Sequence, residues 1–299
     1  MNIPQEETKC GIVALIGPPN VGKSTLLNTL LGQKISIVSP KPQTTRNRVA
    51  GIVNGPDHQI VLLDTPGLHQ ARTPLNREMV RIALESLADV DAIVFMVDVT
   101  MPLPEQTGSP VDCLHGVRQP VLLLLNKIDL IGKDKLLPLI AAYSKIHPFH
   151  AILPVSALKA DGTALVIEKL RDLLPAGPRL YPEDIPTDVS ERFIVGEMIR
   201  EKIFLLTGQE IPYATAVTIE SFKEDPEKGL VTIHATIHVE KSSQKGIIIG
   251  KGGSKLRQIG QAAREEMEKL LDQRVLLKLW VKVKKDWTSN PGFLRELGF

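Results

Sequence analysis

Short runs of consecutive apolar residues alternate with amphipathic segments over the first half of the chain. The apolar runs predict strands at 12–16, 49–53, 60–63, 92–97, 121–125 and 152–155. Helical periodicity predicts helices at 25–31, 72–87, 135–144 and 163–173. The second and third strands are joined by a short hairpin-like connection at 54–57. The alternation indicates an α/β domain with a mainly parallel sheet and helices on both faces.

A proline-rich stretch, residues 174–182, interrupts this pattern and predicts a stiff linker. Beyond it we predict a long helix at 189–206, strands at 213–221, 230–239 and 275–283, and helical segments at 244–249 and 254–271. A charged turn, 223–229, separates the first two of these strands. This pattern predicts a smaller α+β module with helices against a small antiparallel sheet. The domain boundaries are therefore predicted as 1–175, a linker at 176–188, and 189–299.

The first predicted strand leads directly into a glycine-bounded loop and a helix. The loop reads Gly17, Pro18, Pro19, Asn20, Val21, Gly22, Lys23 and Ser24, and Thr25 follows in the helix. The spacing GxxxxGKS between a strand and a helix is typical of a phosphate-binding loop, in which backbone N–H groups and the helix dipole hold an anion. Lys23 adds a full positive charge, and the Ser24 hydroxyl can ligate Mg²⁺.

Further candidate ligand groups follow the predicted strands at 60–63, 121–125 and 152–155. Asp64, Thr65, Pro66 and Gly67 form a DxxG sequence in which Asp64 can hold Mg²⁺ through water and the Gly67 N–H can meet a γ-phosphate. Carboxyl ends of parallel strands meet at one edge of a sheet, where ligands bind. All of these segments are therefore expected at one site.

The segments that follow the predicted strands at 121–125 and 152–155 predict guanine recognition. The Asp129 carboxylate can accept two hydrogen bonds from guanine, whereas adenine would leave a buried carboxylate unpaired. Asn126 can tie its loop to the phosphate loop, and the stem of Lys127 can cover the base plane. The segment after the predicted strand at 152–155 reads Ser156, Ala157 and Leu158. Its backbone N–H groups are predicted to support the guanine oxygen.

The ordered motifs GPPNVGKS, TTR, DTPG, NKID and SAL resemble the guanine-nucleotide domain of translation-factor-class P-loop GTPases. The resemblance covers about the first 175 residues and implies GTP or GDP with Mg²⁺. It implies a metal-binding threonine in the first switch, which we assign to Thr45, with Thr44 as the alternative. The predicted metal ligands are then Ser24, Thr45 and Asp64.

Leu68 follows the DxxG glycine where many Ras-like GTPases carry a glutamine that orients the attacking water. An apolar side chain cannot do so, which predicts slow intrinsic hydrolysis or another source of charge. In GTPases with a similar NxGKS loop, the asparagine helps to hold a potassium ion. By that resemblance we hypothesise that Asn20 and carbonyl groups of the first switch bind K⁺, the alternative being that Asn20 only stabilises the loop. The residues expected to serve hydrolysis are Lys23, Asn20, Thr45 and Gly67.

The second domain carries a GxxG loop between two predicted helical segments, as in a KH domain. Glycines let a nucleic-acid backbone lie directly against the loop. Between 241 and 287 basic residues outnumber acidic ones by about seven, which favours phosphate binding. The apolar run 247–249 is expected to floor a groove for bases. The predicted RNA-binding residues are Lys245, Ile248, Gly250, Lys251, Gly252, Gly253, Lys255 and Arg257.

A P-loop GTPase followed by a type II KH domain with the sequence KGIIIGKGGxxL resembles the Era family over essentially the whole chain. The resemblance implies a ribosome-assembly GTPase that acts on the small (30S) subunit. It also implies binding of single-stranded RNA near the 3′ end of 16S-type ribosomal RNA, and a peripheral position on the inner face of the membrane. Two alternatives stay open: a GTPase acting on another RNA such as tRNA, and a constitutive RNA-binding protein with a structural nucleotide domain.

Composition adds little to this assignment. The two cysteines, Cys10 and Cys113, lack metal-site spacing and predict reduced thiols in a cytosolic protein. The acidic N-terminus does not read as a signal peptide, and the apolar runs are too short to span a bilayer. We expect a monomer in the cytoplasm.

Overall fold

The computed structural model describes residues 8–69, 73–103, 110–208 and 210–298. The chain forms two compact units. The first comprises Met1–Ser36, Thr45–Ala71 and Glu78–Asp188, and the second comprises Ile37–Thr44, Arg72–Arg77 and Val189–Phe299. The loop segment 37–44, which directly precedes the predicted switch threonine Thr45, therefore groups with the carboxyl-terminal unit.

The first unit is built on a six-stranded sheet in the order β2-β3-β1-β4-β5-β6. The strands are β1 Lys9–Ile16, β2 Val49–Asn54, β3 His58–Asp64, β4 Ala92–Asp98, β5 Val121–Asn126 and β6 Ala151–Val155. The helices in this part of the chain are α1 Lys23–Leu31, α2 Pro74–Glu85, α3 Leu136–Tyr143 and α4 Thr163–Leu173. Only β2 runs antiparallel among these strands, paired with β3. The predicted α/β sheet is confirmed.

The central strands consist mainly of apolar residues because helices cover both faces of the sheet. All seven residues of β3 and all six of β5 are buried. The parallel register pairs Leu15 with Asp64 and Asn126 with Val155, so the strands end at the same edge. The polar segments that follow them are therefore brought together there.

In the second unit, the described residues from 189 onward form a three-stranded sheet in the order β7-β8-β9 and four α-helices. The strands are β7 Thr215–Asp225, β8 Leu230–Val239 and β9 Arg274–Val283, and the helices are α5 Glu191–Leu206, α6 Ser242–Ile249, α7 Ser254–Leu271 and α8 Pro291–Glu296. β7 and β8 are antiparallel, but β8 and β9 are parallel. The expectation of an antiparallel sheet is wrong for β9, because α6 and α7 form a crossover that returns the chain to the starting end of β8.

The predicted bounds of the other helices and strands agree with the structure to within a few residues, with one further difference. β7 extends to Asp225, so the turn is confined to residues 226–229 rather than 223–229. The predicted start of α2 at residue 72 lies outside the described residues. None of the helices in the described part of the chain combines the length and the apolar character that a membrane span requires.

Candidate functional site

The phosphate loop between β1 and α1 requires glycine at both of its ends. Gly17 has φ 146° and Gly22 has φ 105°, in the region that side-chain-bearing residues avoid. A Cβ atom on Gly17 would lie 2.2 Å from the carbonyl oxygen of Met96, and one on Gly22 would lie 2.3 Å from Nδ2 of Asn126. The loop is therefore packed tightly against β4 and the residue that ends β5.

Lys23 lies inside this loop. Its side chain is buried, and Nζ donates hydrogen bonds to the carbonyl oxygens of Gly17 at 3.1 Å and Pro18 at 3.0 Å. Burial lowers the pKa of Lys23 to about 8, and the charge of Asp64 opposes that effect. A polyanion in the loop would offer this ammonium group better acceptors than the two carbonyls.

Three oxygen-bearing side chains converge beside the loop. Ser24 Oγ lies 2.8 Å from Thr45 Oγ1 and 2.6 Å from Asp64 Oδ2. Asp64 is fully buried, and its Oδ1 has no hydrogen-bond partner among the described residues. Burial raises the pKa of Asp64, opposed by the Ser24 hydrogen bond and by Lys23. Two hydroxyls and a carboxylate form a hard-oxygen donor set of the kind Mg²⁺ takes, so these residues fit the implied metal.

The two candidate threonines occupy different environments. Thr45 is the one beside Ser24. Thr44 is buried, donates from Oγ1 to the Lys41 carbonyl at 2.7 Å, and lies 2.7 Å from Ser39 Oγ. Thr44 therefore closes a turn of the loop, and this geometry favours Thr45 as the ligand.

The segment after β3 is fastened directly to the phosphate loop. The Leu68 N–H donates to the Gly17 carbonyl at 3.0 Å, and Thr65 Oγ1 donates to the Leu15 carbonyl at 2.7 Å. A Cβ atom on Gly67 would lie 2.7 Å from backbone atoms of Pro19, so only glycine permits this approach. Pro66, which lies between Thr65 and Gly67 in the sequence, is also buried. The Leu68 side chain is also buried and has no group that could orient water.

Asn126 links two of the loops. Its Nδ2 donates to the Val21 carbonyl at 2.6 Å, and its Oδ1 accepts from the Ala157 N–H at 2.9 Å. The side chain is 2% exposed. The predicted tie between the β5 loop and the phosphate loop is present, and the same side chain also anchors the loop after β6.

The remaining base-site residues are arranged by a second set of contacts. Asp129 is exposed and accepts a hydrogen bond from Ser156 Oγ at 2.6 Å, which orients its carboxylate. Lys127 has φ 70°, and its Nζ lies 2.5 Å from Asp98 Oδ2. Asp98 ends β4 and was not among the predicted site residues, although its position at a strand end was a usable signal. Leu158 is 74% exposed beside these groups.

The GxxG loop between α6 and α7 has a positive φ at all three glycines. Gly250 has φ 70°, Gly252 has φ 59° and Gly253 has φ 78°. A Cβ atom on Gly250 would meet the Lys255 side chain at 2.7 Å, whereas Cβ atoms on Gly252 and Gly253 would meet nothing within 4 Å. The exposed part of the loop is therefore open to a ligand, beside the exposed Lys251.

A groove of about 520 Å³ runs along α7 and β9 next to this loop. Its walls are mostly apolar, with two arginines and a glutamine at the rim. The lining residues are Gly253, Leu256, Arg257, Gly260, Gln261, Arg264, Val275, Leu276, Leu277 and Leu279.

Among the predicted RNA-binding residues, Gly253 and Arg257 line the groove. Lys245, Gly250, Lys251, Gly252 and Lys255 are on or near the loop, outside that lining. Ile248 is fully buried and does not line the groove. The helical turn places Ile248 inward and leaves its neighbour Ile247 half exposed. The apolar floor comes instead from α7 and β9, whose packing the sequence did not reveal.

Within the second unit, segment 37–44 is bound to α5. The Val38 N–H donates to Glu201 Oε1 at 2.8 Å, and Arg200 donates to the Thr44 carbonyl. Lys41 donates from Nζ to the carbonyls of Phe204 and Thr207.

The same network continues from α5 to α7. Glu201 is 1% exposed, and its Oε2 lies 2.8 Å from Lys202 Nζ. Lys202 also forms an ion pair with Glu266 of α7. Buried charged contacts of this kind link segment 37–44 to the helix that forms one wall of the groove.

Comparison with known proteins agrees with a GTPase domain followed by a KH domain. A family model described as a 50S ribosome-binding GTPase matches residues 12–127, and a KH-domain model matches residues 210–288. A GTPase Era from Geobacter metallireducens is 53% identical over 291 residues, covering 97% of this chain and 98% of the relative. One from Lacticaseibacillus paracasei is 49% identical, covering 98% and 97%.

Two solved structures are similar over almost the whole chain. An Aquifex aeolicus Era variant bound to GDP and AlF4⁻ has a TM-score of 0.92 and 40% identity, covering 97% of this chain and 99% of the other. Era in complex with MgGDPNP and nucleotides 1506–1542 of 16S ribosomal RNA has a TM-score of 0.92 and 42% identity, with the same coverage.

The phosphate loop, the guanine-site loops and the GxxG groove define the class: a P-loop GTPase with a carboxyl-terminal KH domain. The sequence identity to Era proteins over almost the whole chain defines a narrower family within this class. The chain belongs to the Era family of GTPases.

Proposed function

We propose that this protein is a GTP-driven switch that binds single-stranded ribosomal RNA near the 3′ end of the small-subunit RNA during assembly of the 30S subunit. The observation that carries the proposal is the presence, in one chain, of a phosphate loop that Asn126 joins to the loop after β6, and of a groove beside the GxxG loop. The related structure that contains MgGDPNP and nucleotides 1506–1542 of 16S ribosomal RNA supports the choice of ligands.

In the nucleotide site, Ser24, Thr45 and Asp64 would hold Mg²⁺, and Lys23 would bind the outer phosphates. Bound Mg²⁺ neutralises charge that develops on the phosphate oxygens during transfer. The Gly67 N–H is proposed to meet the γ-phosphate, and the Asp129 carboxylate, oriented by Ser156, to accept the guanine edge.

Because the Leu68 side chain cannot orient the attacking water, GTP hydrolysis needs another group that orders the site and supplies charge. Asn20 is proposed to help hold K⁺ there, supported by its exposed position in the phosphate loop with φ 62°. GTP turnover is compared in KCl and NaCl at equal ionic strength. Faster turnover in KCl is expected, reduced by Asn20→Ala, and equal rates would remove K⁺ from the mechanism.

The contacts of segment 37–44 support a route from nucleotide to RNA. Thr45 would be drawn to the metal when GTP is bound, and the adjacent Thr44 carbonyl is held by Arg200 of α5. Ordering of this loop by the γ-phosphate and its release on hydrolysis would then shift the network that reaches Glu266 on α7.

RNA binding is tested with the double variant Lys251→Ala and Gly252→Asp. A carboxylate in the open loop repels phosphate, so RNA binding should be lost while GDP affinity is retained. Normal RNA binding by this variant would refute the groove assignment. Crosslinking in cells followed by sequencing tests the target: recovery of tRNA instead of small-subunit RNA would favour the alternative substrate.

We propose a monomer that works in the cytoplasm, where the small subunit is assembled. A peripheral association with the inner membrane face, which the family resemblance implies, stays a prediction. Cell fractionation tests both locations, and light scattering of the purified protein tests the monomer.

A further inference from the structure

One face of strand β9 carries exposed residues that the proposed groove does not use. Val275 and Val281 point to the helix-covered side and are buried. Lys278, Trp280 and Lys282 alternate with them and are exposed on the opposite side. We call these three residues, with His234 on the neighbouring strand β8, the outer β9 surface.

Trp280 is the centre of this surface. It is 46% exposed, and its ring lies 5.3 Å from that of His234 at 69°, an edge-to-face contact that fixes the indole. The other tryptophan, Trp287, is fully buried and donates from Nε1 to the Ala214 carbonyl at 3.0 Å. The chain thus uses one tryptophan in the core and holds the other in solvent, where an aromatic ring offers a stacking partner.

The charges around Trp280 favour an anionic ligand. Lys278 and Lys282 flank it on the same face, about 13 Å apart at the strand rise of about 3.3 Å per residue. Glu220 is a carboxylate near Lys282: it accepts a hydrogen bond from Thr218 at 2.9 Å, and that bond and, to a smaller extent, the Lys282 charge lower the pKa of Glu220. An aromatic platform between two exposed lysines matches the stacking and phosphate contacts of single-stranded nucleic acid.

The surface is continuous with the groove through β9. Leu277 and Leu279 line the groove, and Trp280 follows them on the other side of the same strand. β9 is at the end of the sheet and, among the described residues, pairs only with β8. A strand of RNA leaving the groove over this edge reaches the indole directly.

We propose that single-stranded RNA continues from the groove onto the outer β9 surface, where one base stacks on Trp280 and the adjoining phosphates contact Lys278 and Lys282. The inference rests on the proposed RNA binding and extends its site. The surface adds affinity for RNA longer than the segment that the groove holds.

The experiment compares two RNA probes: one of about 5 nucleotides, near the four that a KH loop clamps, and one of about 12 that contains it centrally. Trp280→Leu, which keeps apolar volume without a π-face, should weaken binding of the longer RNA about tenfold, within the 1–3 kcal/mol per base typical of stacking. Binding of the shorter RNA and of GDP should not change. Trp280→Phe should retain most of the affinity.

Fluorescence gives a direct readout because Trp287 is shielded in the core. The longer RNA should quench the emission of the wild-type protein, and the quenching should disappear in Trp280→Phe. Replacing Lys278 and Lys282 together by Gln should flatten the salt dependence of binding by about 1.4, at about 0.7 per single-strand phosphate contact. The control Lys145→Gln, at an exposed lysine of the first unit, should leave it unchanged.

Equal affinity of the wild type and Trp280→Leu for the longer RNA, without quenching, would overturn the inference while leaving the groove assignment intact. Failure of the wild type to bind either RNA would overturn both.

Discussion

Asn126→Ala tests how the nucleotide site is held together. The substitution removes the side chain that accepts from the Ala157 N–H and donates to the Val21 carbonyl. The phosphate loop and the loop after β6 keep their sequences but lose the hydrogen bonds that both make to this side chain. The substitution also opens space against Gly22, where a Cβ atom would lie 2.3 Å from Asn126 Nδ2.

The magnitude follows from the two hydrogen bonds. Each buried group left unpaired costs about 1–3 kcal/mol, so the free energy of unfolding should fall by about 2–6 kcal/mol. GDP affinity should also fall, by about tenfold or more, because binding must then reorder the phosphate loop and the loop after β6.

Gln59→Ala is the matched control. Gln59 is also a fully buried amide: Nε2 donates to Asn54 Oδ1 and the Tyr181 carbonyl, each at 2.8 Å, and Oε1 accepts from Leu180 and Tyr181. It lies near the start of β3, at the other end of the strand from Asp64. Urea unfolding should show a loss of stability in both variants.

Calorimetric titration with GDP should then separate them, with a loss of affinity in Asn126→Ala alone. If Asn126→Ala were destabilised but bound GDP as tightly as the wild type, the side chain would support the fold only. The reasoning that it organises the nucleotide loops would be refuted.

Three further predictions concern base reading, coupling and thiol chemistry. Asp129→Asn should weaken GTP and favour xanthosine triphosphate, since it changes the acceptor pattern facing the base; unaltered GTP affinity in competition binding would contradict this. Glu201→Ala, which leaves the Val38 N–H unpaired, should reduce the difference between RNA affinities measured with a GTP analogue and with GDP, and an undiminished difference would exclude this route. Burial raises the pKa of Cys113 to about 11, so its alkylation in a Cys10→Ser background should be slow at pH 7 and rise about tenfold per pH unit to pH 9 as thiolate forms; a pH-independent rate would contradict this.

The alternation of apolar runs and amphipathic segments predicted every strand of the first unit, because each of those strands contains a short run of mostly apolar, largely buried residues. α4 and α7 match their predicted bounds. The direction of β9 was mispredicted, since apolar alternation is the same for parallel and antiparallel pairing. Direction depends on the path of the chain through α6 and α7.

Sequence motifs placed the candidate site because motif spacing fixes local backbone. They favoured Thr45 over Thr44 by resemblance alone, whereas the structural difference depends on the Ser24 and Ser39 contacts. They did not identify Asp98 as the partner of Lys127. The inward position of Ile248 depends on the orientation of α6, which three consecutive isoleucines do not encode.

In the proposed switch, guanine nucleotide at the first site controls RNA binding at the second. The most direct test measures the affinity of the full chain for RNA spanning nucleotides equivalent to 1506–1542, at one stated salt concentration, with Mg²⁺ and either GDPNP or GDP. We expect clearly tighter RNA binding with GDPNP than with GDP. Identical affinities in the two nucleotide states would contradict this expectation and favour a constitutive RNA-binding protein.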